Sequence, residues 1–539
     1  MSRARVVSIE HLSVALPTDG DRPFAVEDVS LAVARGEIVC VVGESGSGKS
    51  VLASAIMGAL PRGLRHAGGE IRFDGLDLAQ LPERNLRAIR GRKIAMIFQE
   101  PMAALNPAIR IGAQIEEILE IHDPAMAKAE RTRRALGLMR EMQLPDPEIL
   151  ARRYPHEISG GQCQRVVIAM ALAWSPALLI ADEPTTALDV TTQAQILRLI
   201  KNLRDEHGHG VLFVTHDFGV VADIADRVAV MQRGHIVEIG TADQVLNRPQ
   251  HDYTRQLIAA VPSLIPLHRP PIAATPALRL EGLSRFFGPV RAVDDVTFDV
   301  PSGGTVAIVG ESGSGKSTLA KAVIRLLAPD TGRTLIEDID FAHLGGRELM
   351  RRRRLIQMVF QDPFGSLNPN RTVGAVLERA GVLGGLGAKA ARAQATELLD
   401  LVGLQPEALH RKPEAFSGGQ RQRIGIARAL AMRPSIIIAD EAVSALDVSV
   451  QKQVLELLDR LQRDRGLTML FITHDLRVAA GVADRIAVMQ RGKVVEFGPA
   501  VQVLLHPEHP YTAELVAAAP GRAWQMQRDV TRGAGRPYG

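Results

Sequence analysis

Cysteine is nearly missing from this chain. Two occur in 539 residues, Cys40 and Cys163, far apart and in no ligand-like spacing. That excludes a disulfide framework and a cysteine-built metal site, and it points to a reducing compartment. A long apolar run is lacking too. The longest stretch, Val166–Ala181, is interrupted by Ser175 and Pro176 and stops at Asp182, short of the ~20 residues that cross a bilayer. The amino terminus carries Arg3 and Arg5 without a continuous apolar core behind them, so it reads as a strand and no signal peptide is expected. Charge of one sign is lacking as well. The 64 basic residues against 60 acidic ones leave +4, which permits contact with phosphates or lipid headgroups and demands neither. The expectation is a soluble or peripheral protein of about two to four domains.

What is present is a duplication. "GESGSGKS" occurs at Gly43–Ser50 and again, letter for letter, at Gly310–Ser317, 267 positions later. Other segments pair in the same order: "IAMIFQEP" (Ile94–Pro101) with "IQMVFQDP" (Ile356–Pro363), "ISGGQCQR" (Ile158–Arg165) with "FSGGQRQR" (Phe416–Arg423), "LLIADE" (Leu178–Glu183) with "IIIADE" (Ile436–Glu441), and "VTHD" (Val214–Asp217) with "ITHD" (Ile472–Asp475). From the Ser-Gly-Gly-Gln elements onward the offset is a constant 258. A period this long, repeated once, means paired domains and not a solenoid.

The boundaries follow. A first domain spans 1–262, a proline-rich linker 263–277 contains Pro266, Pro270, Pro271 and Pro276, a second domain spans 278–520, and a Gly/Arg-rich tail covers 521–539. The linker composition favours a semi-rigid extended connector, and the tail composition favours poor order.

Each half alternates apolar strand-like runs with helical stretches, the pattern of an α/β domain around a largely parallel sheet. "EIVCVVGESGSGKSVLASAIMGAL" contains a β-branched run, a glycine-rich turn and an amphipathic helix. Such a turn lets backbone N–H groups surround phosphates, with the helix dipole adding to the anion site. The candidate ATP-binding residues are therefore Gly43, Glu44, Ser45, Gly46, Ser47, Gly48, Lys49 and Ser50 in one half, and Gly310, Glu311, Ser312, Gly313, Ser314, Gly315, Lys316, Ser317 and Thr318 in the other. Lys49 and Lys316 are expected to reach the terminal phosphates, and Ser50 and Ser317 to bind Mg²⁺. Asp182 and Asp440 end apolar runs and fit the role of holding Mg²⁺. Glu183 and Glu441 beside them are candidates to polarise the attacking water. The bland reading, acids that merely cap the next helix, loses weight beside a complete phosphate loop.

These five ordered motifs, which cover nearly the whole chain, resemble an ATP-binding cassette (ABC) protein with two fused nucleotide-binding domains. The resemblance implies two tandem P-loop NTPase domains, each a RecA-like core with an inserted helical subdomain and a small antiparallel β part. It assigns Gln99 and Gln361 to the Q-loop glutamine at Mg²⁺ or the attacking water, and His216 and His474 to the γ-phosphate. Ser159, Gly160, Gly161 and Gln162, with Ser417, Gly418, Gly419 and Gln420, match the signature. Ala187–Asp189 and Ala445–Asp447 match the D-loop. A Ser-Gly-Gly triplet alone is usually just a turn, but here it stands 23 residues before the paired acids in both halves. In the family each signature completes the opposite domain's pocket, making an intramolecular pseudo-dimer. Lys49, Asp182 and His216 would then work with Ser417, and Lys316, Asp440 and His474 with Ser159.

Each half ends alike, in "PQHDYTRQLIAAVP" (Pro249–Pro262) and "PEHPYTAELVAAAP" (Pro507–Pro520). These endings resemble the oligopeptide, dipeptide and nickel importer ATPases. As composition they are capped surface helices with no assignable chemistry. The resemblance implies two membrane permeases bound through the Q-loop regions, an extracytoplasmic solute-binding protein acting indirectly, and a place on the cytoplasmic face of a bacterial inner membrane. Short peptides are the implied solute, with nickel, glutathione and opines as alternatives. No cysteine follows Tyr253 or Tyr511, so no iron–sulfur cluster is expected. Phe287, nine residues before Val296, matches the family's adenine-stacking aromatic. The same offset ahead of Val29 falls on Gly20, and the nearest aromatic, Phe24, is out of register by four. The run Arg351–Arg354 reads as a solvated face, and no nucleic acid is expected. A soluble twin-cassette ATPase of ribosomes or DNA is the alternative from another class, disfavoured by the short proline-rich linker.

Overall fold

The structure is a computed structural model that describes every residue except 1–3, 18–21, 186–187, 268, 270–274, 445 and 534–539. Gly20, Ala187, Ala445, Pro270, Pro271 and the end of the tail thus lie outside the described residues. The chain divides into two compact units. One comprises Met1–Leu188, Thr192–Val261 and Pro520–Gly539, the other Asp189–Thr191 and Pro262–Ala519.

In the first unit the central sheet runs His235–Thr241, Arg227–Gln232, Ile38–Val42, Gly210–Thr215, Leu178–Asp182, Ile94–Ile97. All neighbours are parallel except the first pair. Strands Ile38–Val42, Leu178–Asp182 and Gly210–Thr215 are buried throughout, as strands covered on both faces must be, which explains their near-continuous aliphatic runs. A smaller antiparallel sheet orders Phe24–Ala34, Arg5–Ala15, Arg65–Phe73 and Leu76–Asp77. It shares one apolar cluster with the loop-following helix Lys49–Ile56, through Val7, Val26, Leu52 and Ile56.

Between strands Ile94–Ile97 and Leu178–Asp182 come helices Ile111–His122, Lys128–Glu141 and Gly160–Leu172. Their apolar faces join Ile115, Met139 and Val166 to the core formed on the other side of the sheet. The second unit repeats this plan. Its central sheet runs Ile356–Val359, Ile436–Asp440, Thr468–Ile472, Thr305–Val309, Arg485–Gln490, Lys493–Pro499, beside a four-stranded antiparallel sheet. Among the described residues no helix is long and apolar enough to cross a membrane.

Two segments differ from their compositional expectation. The start of the proline-rich linker packs within the second unit. Leu264 is buried, and Arg269 donates to Gln462 Oε1, Asp459 Oδ1 and the Gly481 carbonyl, each at 3.0 Å. Proline withholds N–H groups from a ladder, but the side chains between prolines still find partners. The tail carries a helix, Arg522–Gly533, in the first unit. Trp524 is buried and donates its indole N–H to Asn247 Oδ1 at 3.0 Å, while the Gly521 N–H donates to Asp223 Oδ2 at 3.0 Å. The buried indole, with its polar atom satisfied, docks this helix on the apolar core of the first unit.

Candidate functional site

Each phosphate-loop sequence lies between a buried strand and a helix that starts at the lysine. Gly43, Gly46 and Gly48 have φ of 154°, 76° and 107°. A Cβ on Gly43 would stand 2.2 Å from the Met231 carbonyl oxygen, and one on Gly48 2.5 Å from that of Ala25. Glycine is therefore required at both by contact as well as by φ. Lys49 is buried and donates to the Gly43 and Glu44 carbonyls at 2.8 and 2.9 Å. Lys316 does the same to Gly310 and Glu311 at 2.8 and 2.7 Å. Burial pushes the Lys316 ammonium below its ordinary pKa, against the pull of Glu441.

The acids close on this loop from the strand two places away in the sheet. Ser50 Oγ donates to Asp182 Oδ1 at 3.0 Å, and Ser317 Oγ to Asp440 Oδ1 at 3.0 Å. Burial raises the pKa of both aspartates, the arrangement expected of carboxylates that a cation would stabilise. The hydroxyl and carboxylate oxygens are hard donors, few in number, and suit a Mg²⁺ that keeps waters and substrate oxygens as its other ligands.

Glu183 and Glu441 follow the strands with φ of 45° and 46°, a left-handed conformation uncommon for non-glycine residues. Their N–H groups donate to the Val214 and Ile472 carbonyls. Gln99 Nε2 donates to Glu183 Oε2 at 3.0 Å, and Gln361 Nε2 to Glu441 Oε2 at 2.8 Å. His216 Nδ1 is 3.3 Å from Glu183 Oε1, and His474 Nδ1 is 3.5 Å from Glu441 Oε2. Burial alone would lower both histidine pKa values, but the carboxylate at hydrogen-bond distance outweighs it and raises them. The Glu441 carboxyl shows the converse: burial would raise it, and His474 holds it below its ordinary range. The strained backbone aims each glutamate side chain between a glutamine and a histidine.

Ser159 and Ser417 cap the helices Gly160–Leu172 and Gly418–Ala431. Ser159 Oγ accepts from the Gln162 N–H at 3.3 Å while Gln162 Oε1 accepts from the Ser159 N–H at 3.0 Å, and the Ser417–Gln420 pair matches at 3.4 and 3.1 Å. The glutamine side chains are thereby engaged in a capping box. The two glycines serve different ends. A Cβ on Gly160 or Gly418 would meet nothing within 4 Å, whereas one on Gly161 would lie 2.8 Å from Thr192 Cγ2 and one on Gly419 2.4 Å from Val450 Cγ1. The first glycine leaves a bare helix start for an anion to approach; the second lets the next helix pack.

Phe287 ends strand Pro276–Phe287, is 46% exposed, and has the Arg285 guanidinium 4.9 Å from its ring centroid. Strand register revises its comparison with the first half. Val26 and Val293 occupy equivalent places, paired with Val14 and Arg285; the next pairs are Ala15 with Phe24 and Phe286 with Arg291. Leu16, not Gly20, thus stands where Phe287 does, and Phe24 belongs to the opposite strand. Constant sequence offset misled because the first hairpin is longer.

A cleft of about 500 Å³ in the second unit lies beside the Gln361 segment, lined by Gln357, Phe360, Asn368, Arg371, Leu383 and Arg428 among others. Of the four-arginine run, Arg352 is bonded to Glu348 at 2.6 Å and Arg353 to the Arg325 carbonyl, which divides the patch. Cys163, beside the first signature, is buried, and burial raises its thiol pKa, consistent with a small packing side chain.

The connection sequence reasoning missed is Tyr253 and Tyr511, whose hydroxyls accept the N–H groups of Glu44 and Glu311 at 3.2 and 3.0 Å. Their recurrence in both endings was the available signal, but their contact partners lie 209 and 200 residues away.

Comparison with known proteins places the chain among sequence relatives. The family model described as ABC transporter matches residues 26–186 and 293–444. The model for the oligopeptide/dipeptide transporter C-terminal region matches 237–284 and 495–536. The chain is 45% identical over 575 residues to the glutathione import ATP-binding protein GsiA of Escherichia coli (strain K12), covering 98% of this chain and 92% of that one. The protein of the same name from Shigella dysenteriae serotype 1 (strain Sd197) gives the same figures. A solved dimeric post-hydrolysis state of the ATP-binding cassette MJ0796 with ADP and Pi is 32% identical, covers 44% of this chain and 98% of that chain, and has a TM-score of 0.40.

Proposed function

The chain belongs to the ABC transporter family, and from that premise we propose that it is the ATP-hydrolysing subunit of an importer of short peptides, glutathione among them. The carrying observation is the constellation found in both units: phosphate-loop lysine and serine, the serine hydrogen-bonded to an aspartate, and a glutamate held between a glutamine and a histidine. Two carboxyl-terminal matches to the oligopeptide/dipeptide transporter region and the relatives named for glutathione import support the solute class.

In this reading the substrate is ATP with Mg²⁺. The loop amides and Lys49 or Lys316 hold the phosphates, and Ser50 with Asp182, or Ser317 with Asp440, hold the ion. Phosphoryl transfer needs mainly positioning and charge stabilisation. Glu183 and Glu441 orient the attacking water and accept its proton, Gln99 and Gln361 help place that water, and His216 and His474 meet the γ-phosphate. The bare helix starts at Gly160 and Gly418 serve the γ-phosphate of the opposite cassette, so Ser417 belongs functionally with Lys49 and Ser159 with Lys316. Phe287 stacks on adenine. The permeases dock at the Gln99 and Gln361 segments, for which the cleft beside Gln361 is the supporting feature. Solute choice lies with those subunits and the solute-binding protein, and the chain sits on the cytoplasmic face of the membrane.

The test is ATP-dependent uptake of labelled glutathione and dipeptides by vesicles carrying the chain with its permeases. Uptake of neither, with intact ATPase activity, overturns the solute class. Recovery of the native chain with ribosomes instead of permeases overturns the importer role.

A further inference from the structure

The Gly43–Glu44 peptide is held at both ends. Its carbonyl accepts from Lys49 Nζ at 2.8 Å, and its N–H donates to Tyr253 Oη at 3.2 Å. The Gly310–Glu311 peptide repeats this with Lys316 at 2.8 Å and Tyr511 at 3.0 Å. A peptide that follows glycine is the one in such a loop that reorients most cheaply, because no Cβ resists the change in ψ.

Each tyrosine is itself anchored. His251 heads the helix Asp252–Ala260, and its Nδ1 accepts from the Tyr253 N–H at 3.2 Å; the Glu238 carboxylate accepts from the Gln250 and His251 N–H groups at 2.8 and 3.0 Å. In the second unit the same ladder runs from Glu496, accepting from Glu508 and His509 at 3.1 Å each, through His509 Nδ1 to the Tyr511 N–H at 3.2 Å. Both rings are packed in the apolar cores. Burial chiefly pushes the Tyr511 phenol up to about 12, so it stays a neutral acceptor throughout the working pH range.

We propose that Tyr253 and Tyr511 are positioning residues of the two phosphate loops, through which the carboxyl-terminal extension of each half holds the loop's first peptide in its phosphate-receiving orientation. This rests on the reading of Gly43–Ser50 and Gly310–Ser317 as ATP loops. Lysine is expected to turn from the Gly43 and Gly310 carbonyls to the phosphates when nucleotide arrives. In the proposal the tyrosine hydroxyl keeps its hold on that peptide N–H in both states. The recurrent Tyr of the two endings thereby acquires a role that composition does not assign.

The experiment uses the full chain with Tyr253→Phe, Tyr511→Phe and both together. Phenylalanine keeps the ring and deletes the acceptor. ATP affinity is measured by equilibrium binding, with kcat and KM from steady-state hydrolysis, amide exchange of the loop segments 39–48 and 306–315, and melting without nucleotide. Losing one hydrogen bond to a loop predicts a Kd and KM about three- to tenfold higher in the double variant. We expect kcat to stay within about twofold, loop exchange to quicken, and exchange in the central strands and the melting temperature to hold. Unchanged affinity and loop exchange would overturn the proposal. So would weakened affinity accompanied by faster exchange across the whole unit and a lower melting temperature, which signals a merely structural role. A wild-type chain that binds no ATP overturns the underlying ATPase reading instead.

Discussion

In the first cassette the hairpin beside the phosphate loop runs from Ala15 to Phe24, and in the second Phe287 turns directly to Val290. Arg22 from the longer hairpin donates to the Gly46 carbonyl of its loop, while Phe287 stands exposed at the end of the shorter one. The loops themselves match in sequence and in every lysine, serine and tyrosine contact described above. The phosphate end of each pocket is built from one strand–turn–helix unit and its sheet neighbours, so it is preserved. In the proposed function the base end falls to a hairpin whose length differs between the halves, so it is not. Duplicated motifs therefore report duplicated chemistry at the phosphates without guaranteeing equal affinity for the nucleotide.

The largest expected effect tests whether the two catalytic ends are equal. Glu183→Gln and Glu441→Gln each lower hydrolysis at their own site by about a hundredfold or more, with ATP binding retained. Equal residual rates in the two single variants support equivalence, whereas a single variant that alone removes nearly all turnover shows that one site dominates. Wild-type rates in the double variant would refute the assignment of these glutamates.

Base-end inequality is the next largest effect. Phe287→Ala should weaken nucleotide binding at the second site by about 1–3 kcal/mol, on the scale of base–aromatic stacking, and Leu16→Phe should strengthen the first. Site-resolved photolabelling with an adenine analogue measures both, and no change in either variant removes the hairpin explanation.

The signature helices differ more modestly. A methyl group on Gly419 would meet Val450 at 2.4 Å, against 2.8 Å to Thr192 from Gly161. Gly419→Ala is thus expected to cost about 1–3 kcal/mol of stability and Gly161→Ala less, with Gly160→Ala and Gly418→Ala sparing the fold. Denaturant midpoints rank them.

The smallest effect is in pH. A histidine whose pKa is raised by folding contributes fully below its ordinary 6.5 and loses that contribution as pH rises through the raised value. Glu441, lowered by folding, contributes above its ordinary 4.5 and loses it as pH falls through the lower value. The His474–Glu441 pair therefore stabilises most between those two ordinary values and fades on the alkaline side. His474→Gln should flatten that alkaline decline by under about 1 kcal/mol, read from melting against pH. An unaltered slope would show that the pair does not titrate as argued.

Much of the site was legible because its signals are local. Gly43 to Ser50 announce a strand–turn–helix by neighbours alone, and Asp182 ends a run too apolar for anything but a buried strand. Equal spacing from Ser159 and Ser417 to the acids tied the signatures to the same unit. The first-half counterpart of Phe287 was not legible because offset counts residues while register counts hydrogen-bonded pairs, and the two part company where a hairpin lengthens. The helix Arg522–Gly533 was not legible because composition averages over residues, and the contact of Trp524 with Asn247 joins positions far apart in the chain.

The sequence by itself determined that there are two cassettes, the order of their motifs, and which side chains carry acid, amide, imidazole and ammonium groups. Those depend on periodicity and near neighbours. Only the tertiary structure decided that Gly160 is open while Gly161 is packed, that Leu16 holds in the first hairpin the register place that Phe287 holds in the second, and that Tyr253 and Tyr511 reach the first peptide of each loop. Such contacts join residues far apart in the chain, and they are set by how strands and helices pack, which no local pattern records.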